Sequence, residues 1–145
     1  MPAEIYGERY EFLEQEKLLT FEEINRVTRL LVSLGVRKVR ITGGEPLVRR
    51  DINILVKLIS SIDTLSDIAM TTNGYLLPKM AQSLKTAGLT RLTVSLDTLD
   101  DDIFRKMNGR NFGVESVLQG IEAASKAGFH PIKINSVVQK GVNDH

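Results

Sequence analysis

The five residues Thr42-Gly43-Gly44-Glu45-Pro46 carry the sharpest chemical signal in the sequence. Two adjacent glycines have no side chains, so a ligand can approach their backbone N–H and C=O groups, which can grip a carboxylate or the edge of an adenine. Glu45 adds a carboxylate suited to an ammonium group, and Pro46 fixes the exit of the loop. The spacing is neither the G-x-G-x-x-G of a dinucleotide loop nor the Lys-Ser/Thr ending of a P-loop. The other candidates are polar residues that alternate with apolar ones. Arg40 lies between Val39 and Ile41, and Thr71 and Asn73 alternate with Met70 and Thr72. Thr93, Ser95 and Asp97 alternate with Leu92, Val94 and Leu96, and Lys133 and Asn135 alternate with Ile132 and Ile134. In a strand such alternation puts each set on one face. Arg40, Thr71, Asn73, Ser95, Asp97, Lys133 and Asn135 then form a polar lining rather than a packed core. His130 and His145 have no neighbouring Cys or His with which to share a metal, and no residue is assigned as catalytic or metal-ligating.

The elements that must position these residues follow from periodicity. Phe21, Ile24, Val27, Leu30, Leu31 and Leu34 have helical spacing, with Thr20 and Glu23 as a capping box in front. Strand-like runs are predicted over Val36 to Thr42, Asp67 to Thr72, Arg91 to Leu96 and Ile132 to Val138. Helical pieces are predicted between Asp51 and Ile62, after Pro78, over Asp100 to Met107 and over Val114 to Lys126. Leu34-Gly35-Val36, Ala87-Gly88-Leu89 and Ala127-Gly128-Phe129 repeat one helix-to-strand junction. The recurring order implies right-handed βα units and a parallel sheet. Burying Arg40 and Lys133 under a second helix layer would cost several kcal/mol per uncompensated ion. A barrel or half-barrel lets them line a cavity whose ligand site sits at the carboxyl ends of the strands. The expected class is therefore α/β: a partial TIM-like (βα) barrel with parallel strands, about four βα units over 19–138, an irregular lead-in over 1–18 and a truncated tail over 139–145. Such an array reads as a segment of something longer. The alternative is a self-sufficient flavodoxin-like sheet, such as a phosphate-accepting receiver module. That class needs clustered acids after an early strand, where this chain has Thr-Gly-Gly-Glu, and only Lys133 fits it.

Composition narrows the classes further. The chain has 145 residues, 42% hydrophobic and 26% charged, with 19 Lys+Arg against 18 Asp+Glu and no cysteine. No disulfide scaffold, zinc ribbon or thiolate-bound iron-sulfur site can be built from these residues alone. A net charge of +1 gives no broad basic field for nucleic acid. The apolar runs fall short of the ~18 residues that span a bilayer, and Met1 to Arg9 is no secretory signal, so a cytoplasmic location is expected. Open sheet edges would allow a homodimer.

Taken together, Thr42-Gly43-Gly44-Glu45-Pro46, Thr71-Thr72-Asn73-Gly74 and Val94-Ser95-Leu96-Asp97, each at a strand end, resemble the radical S-adenosylmethionine enzymes. The similarity is strongest to the branch that cyclises GTP in molybdenum-cofactor synthesis. Met1-Pro-Ala-Glu, Leu19-Thr20-Phe21-Glu22-Glu23, Val39-Arg40-Ile41-Thr42 and Leu47-Val48-Arg49-Arg50-Asp51 share it, so it covers essentially the whole chain. The resemblance implies that Gly43, Gly44 and Ser95 contact S-adenosylmethionine, with Glu45 near its ammonium, and that Arg40, Thr71 and Lys133 contact GTP. It also implies a [4Fe-4S] cluster held by a Cys-x3-Cys-x2-Cys motif just before Met1, and a second cysteine triplet further on. Neither is among these residues, so the segment alone is expected to be catalytically inert. The same generic motifs would also suit a radical enzyme acting on another substrate.

Overall fold

The computed structural model describes residues 17–145. Thr20 opens helix α1 (Phe21–Ser33) with a reciprocal cap. Its Oγ1 accepts from the Glu23 N–H at 3.1 Å, and the Glu23 carboxylate accepts from the Thr20 N–H at 2.8 Å. Such a cap is worth about 1 kcal/mol. At the other end Gly35 takes φ 104°, the Gly35 N–H reaches the Val32 carbonyl and the Val36 N–H reaches that of Leu31. That closure repeats at Gly88 with Leu89 and at Gly128 with Phe129, where Leu89 and Phe129 are 1% and 0% exposed. In each case glycine supplies the left-handed residue, and the apolar residue after it plugs the helix end.

The strands are β1 (Lys38–Ile41), β2 (Asp67–Thr72), β3 (Arg91–Ser95) and β4 (Lys133–Asn135). Between β1 and β2 come a 3₁₀ turn, Pro46–Val48, and α2 (Ile52–Ser60); α3 (Leu77–Thr86) links β2 to β3, and α4 (Asp101–Asn108) and α5 (Val114–Lys126) precede β4. β3 stops one residue short of its predicted run, and β1 and β4 are shorter still than their apolar runs suggest. In β1 the Val36 amide is consumed by the α1 closure, so pairing starts at Lys38. Past β4, side chains replace the ladder: Ser136 Oγ donates to the Leu96 carbonyl and the Val137 N–H donates to Asp97 Oδ1.

All four strands are parallel, and their order in space is their order in sequence, β1-β2-β3-β4. A flavodoxin-like sheet reverses direction from its first strand and therefore places helices on both faces. Here each right-handed crossover steps the same way, so the helices accumulate on one face. The result is the partial (βα) barrel expected from sequence. α1 packs on α2, and α3 on α5 and α2. Beneath them lie Ile68, Met70, Leu92 and Val94 from the sheet with Val56, Leu84, Val117 and Phe129, none more than 2% exposed. At roughly 1.5–3 kcal/mol for each large apolar side chain, this one-sided layer is the main source of stability. No helix among the described residues is long and apolar enough to cross a membrane. Tyr6, Tyr10 and Phe12, aromatic residues of the lead-in that by sequence would pack the entry segment, lie outside the described residues.

Candidate functional site

The loop after β1 is defined by what surrounds it. A Cβ added to Gly43 would meet nothing within 4 Å, and Gly43 and Gly44 are both exposed. At the carboxyl end of β1, Gly43 thus has open space around its Cβ position and Gly44 is exposed, as a ligand-approach loop requires. Glu45 is half-buried, and its carboxylate is occupied by protein donors. Oε1 accepts from the Leu47 N–H at 3.1 Å and from Thr72 Oγ1 at 2.7 Å, while Oε2 accepts from the Asn73 N–H at 2.7 Å. Thr72 in turn accepts from the Gly74 N–H at 3.1 Å. Gly74 is packed tightly as well: a Cβ on Gly120 of α5 would sit 2.2 Å from the Gly74 carbonyl oxygen.

On the helix-free face, register builds a second constellation. Thr71 pairs with Thr93, and Thr93 with Lys133, so the three stand in one row across β2, β3 and β4. Arg40 starts one row lower, opposite Ala69. Its long side chain reaches up, and one terminal nitrogen donates to Thr71 Oγ1 at 2.9 Å and to Thr93 Oγ1 at 3.1 Å. Neither Arg40 nor Lys133 has a carboxylate partner among the described residues. A guanidinium held by neutral hydroxyls keeps its full positive charge available, with most of its N–H groups free. The face therefore presents two cations without carboxylate partners among the described residues: Arg40 from β1, whose head reaches Thr93 on β3, and Lys133 on β4, the register partner of Thr93.

Arg40, Thr71 and Lys133 are thus brought onto one face, and Arg40 touches Thr71 directly. Ser95 and Asn135 pair in the next row towards the strand ends. Ser95 stands two strands from the Gly43–Gly44 loop, and both lie at carboxyl ends. Asp97, assigned to the lining, accepts from the Val137 N–H at 2.9 Å, and Asn143 donates to its carbonyl. Thr93 belongs to the site although the candidate set omits it. Alternation already puts it on the polar face, but its meeting with Arg40 depends on register across three strands. By sequence, Arg49 and Arg50 near a helix N-terminus are expected to be solvated; Arg50 is exposed, but Arg49 is only half-exposed. It donates to the Leu19 carbonyl and lies over the Phe21 ring at 4.5 Å from its centre, tying the lead-in of α1 to the turn after β1. Among the described residues no three His, Cys, Asp or Glu side chains gather as metal ligands.

Comparison with known proteins agrees with this geometry. Residues 6–145 match the family model described as the Radical SAM superfamily. Over 145 residues the chain is 48% identical to a GTP 3′,8-cyclase of Staphylococcus epidermidis, covering 100% of this chain and 42% of that protein. It is 49% identical over 144 residues to a GTP 3′,8-cyclase of Staphylococcus haemolyticus and 46% identical over 144 to one of Staphylococcus aureus, again covering 42% of each. The chain therefore spans less than half the length of these relatives. With a four-stranded parallel sheet, helices on one face and a Gly-Gly-Glu loop at the tip of β1, the chain belongs to the radical SAM superfamily.

Proposed function

We propose that the chain is a segment of a GTP 3′,8-cyclase of molybdenum-cofactor synthesis, supplying part of the S-adenosylmethionine site and part of the GTP site. The observation that carries this reading is Arg40: a guanidinium without a carboxylate partner among the described residues, anchored by two hydroxyls, one of them on Thr93, whose register partner on β4 is Lys133. Two such cations suit a polyphosphate, whose oxygens supply the missing counter-charge and accept charge-assisted hydrogen bonds. Identity of 46–49% to proteins named GTP 3′,8-cyclase supports GTP as that polyphosphate.

In this reading Gly43 and Gly44 hold the methionine end of S-adenosylmethionine through their backbone, and Ser95 holds it from the tip of β3. The open space over Gly43 fits such a ligand. When bound, S-adenosylmethionine would supply a hydrogen-abstracting 5′-deoxyadenosyl radical, with methionine released, on receiving one electron from an iron-sulfur cluster outside these residues. Arg40 and Lys133 bind and orient the phosphates, and Thr71 and Thr93 fix the Arg40 head. The [4Fe-4S] cluster does not fit these residues: there is no cysteine, so cluster chemistry is not a property of this segment.

The test is GTP binding by calorimetry to a full-length, cluster-loaded protein carrying this segment. Arg40→Ala and Lys133→Ala are each expected to weaken GTP by about 10-fold or more, the scale of a lost hydrogen bond to a charged group. S-adenosylmethionine affinity should stay within about twofold, and unchanged GTP affinity in both variants would sink the reading.

A further inference from the structure

Glu45 directly follows the Gly43–Gly44 pair, and its carboxylate accepts three hydrogen bonds, all from protein donors. We propose that Glu45 is a positioning residue: it clasps the exit loops of β1 and β2 together and so sets the Gly43–Gly44 backbone for the cofactor, instead of pairing with the cofactor's ammonium. The proposal rests on the reading of that loop as the S-adenosylmethionine loop.

The geometry argues for a clasp. The two glycines have no side chains and no packing neighbours at Gly43, so nothing within the pair holds their conformation. The first anchor after them is Glu45. It joins the Leu47 amide of its own turn to Thr72 and Asn73 of the next strand's exit, 27 and 28 residues further along. Leu47 and Thr72 are 3% and 2% exposed, so both fixed ends of the clasp are buried. A carboxylate offers about four acceptor positions and no donor. Two backbone N–H groups and a hydroxyl whose own lone pair already receives the Gly74 N–H are a matched set of donors for it. An uncharged amide in the same place fails at one point. Glutamine keeps an oxygen for Leu47 and Thr72 but turns an NH2 towards the Asn73 N–H, donor against donor. Asp97 repeats the device on the other half of the sheet, where its carboxylate at the tip of β3 receives the Val137 amide beyond β4. Acids at these strand ends thus continue the sheet by side chain after the backbone ladder has stopped.

The experiment has two arms, each using Glu45→Gln. In the first, amide hydrogen exchange is measured on this chain. Exchange at Asn73 should speed up by about 10-fold or more, while Leu47 and the amides of β2 and β3 keep their wild-type rates; an unchanged Asn73 would remove the clasp. In the second, dissociation constants are measured for a full-length, cluster-loaded protein with S-adenosylmethionine and with its analogue lacking the amino group. A positioning role weakens both ligands by the same factor, several-fold. Loss confined to the amino-bearing ligand would mean direct pairing with the ammonium, and wild-type affinity for both would leave Glu45 purely structural; either result overturns the proposal. A wild-type protein that binds neither ligand removes the cofactor reading, and with it the cofactor side of the proposal, while the exchange arm still decides the clasp.

Discussion

Thr93 shows how much a single hydroxyl can decide. It is 7% exposed, and its oxygen accepts from Arg40 at 3.1 Å. Valine has nearly the same shape but no acceptor, so Thr93→Val keeps the packing and releases half of the Arg40 anchor. In a full-length protein carrying this segment, Thr93→Val should weaken GTP binding by about 3- to 10-fold, from roughly 1 kcal/mol of lost hydrogen bonding. Thr93→Ser should restore it, and calorimetry distinguishes the two. Sequence reasoning put Thr93 on the right face because alternation needs only one strand. It could not choose Thr93 over its neighbours, because which side chains share a row depends on pairing between strands, and pairing is a property of three dimensions. Arg49 went astray for a related reason: its partners, Phe21 and the Leu19 carbonyl, lie about 30 residues back in the chain.

At the scale of elements, helices and their ends were the most legible parts. The Thr20–Glu23 box and the three glycine closures are local chemistry, complete within six residues, and all of them form. Strand ends were less legible, because side chains of other elements take over the ladder there. The strand starts carry a test of their own. Asp67 at the head of β2 accepts from Arg91 at the head of β3 through two nitrogens, one at 2.9 Å. Those Arg91 hydrogen bonds hold the Asp67 carboxyl below its ordinary value of 3.8, against the opposing effect of burial. A depressed acid stabilises the fold fully above its unfolded value and loses that contribution as the pH falls through the depressed one. Asp67→Asn should therefore cost at most about 1 kcal/mol at pH 7, since the Arg91 side chain is 52% exposed and solvent screens the pair. The difference should shrink steadily below pH 4. Urea titrations of both proteins at pH 7 and at pH 2 to 3 would show it.

For the whole molecule, both sides of the sheet end in unpaired strands among the described residues. α1, beside β1, shows Val27, Leu30, Leu31 and Leu34 at 43–76% exposure, and β4 with its exit shows Ile134, Val137 and Val138 at 42–69%. A cleft of about 270 Å3 between α1, β1 and α2, lined in part by Ile24, Val39, Ile41, Ile52 and Leu55, adds apolar surface beside β1. Open parallel edges flanked by apolar side chains invite pairing with another chain. The chain on its own should therefore show concentration-dependent association by sedimentation velocity, and Leu34→Lys with Val138→Lys should shift it towards the monomer. Sedimentation independent of concentration would count against this.

The one-sided placement of the helices has a consequence for how such a protein can change over evolution. Along each strand, packing and polar residues alternate: Ile68, Met70, Leu92 and Val94 answer to the core, while Arg40, Thr71, Thr93 and Lys133 carry the ligand contacts of the proposed site. Substitutions in the second set can retune ligand preference without disturbing the packing that keeps the chain folded. New specificities are therefore open to this architecture by single steps, with the Gly43–Gly44 loop and its Glu45 clasp left in place.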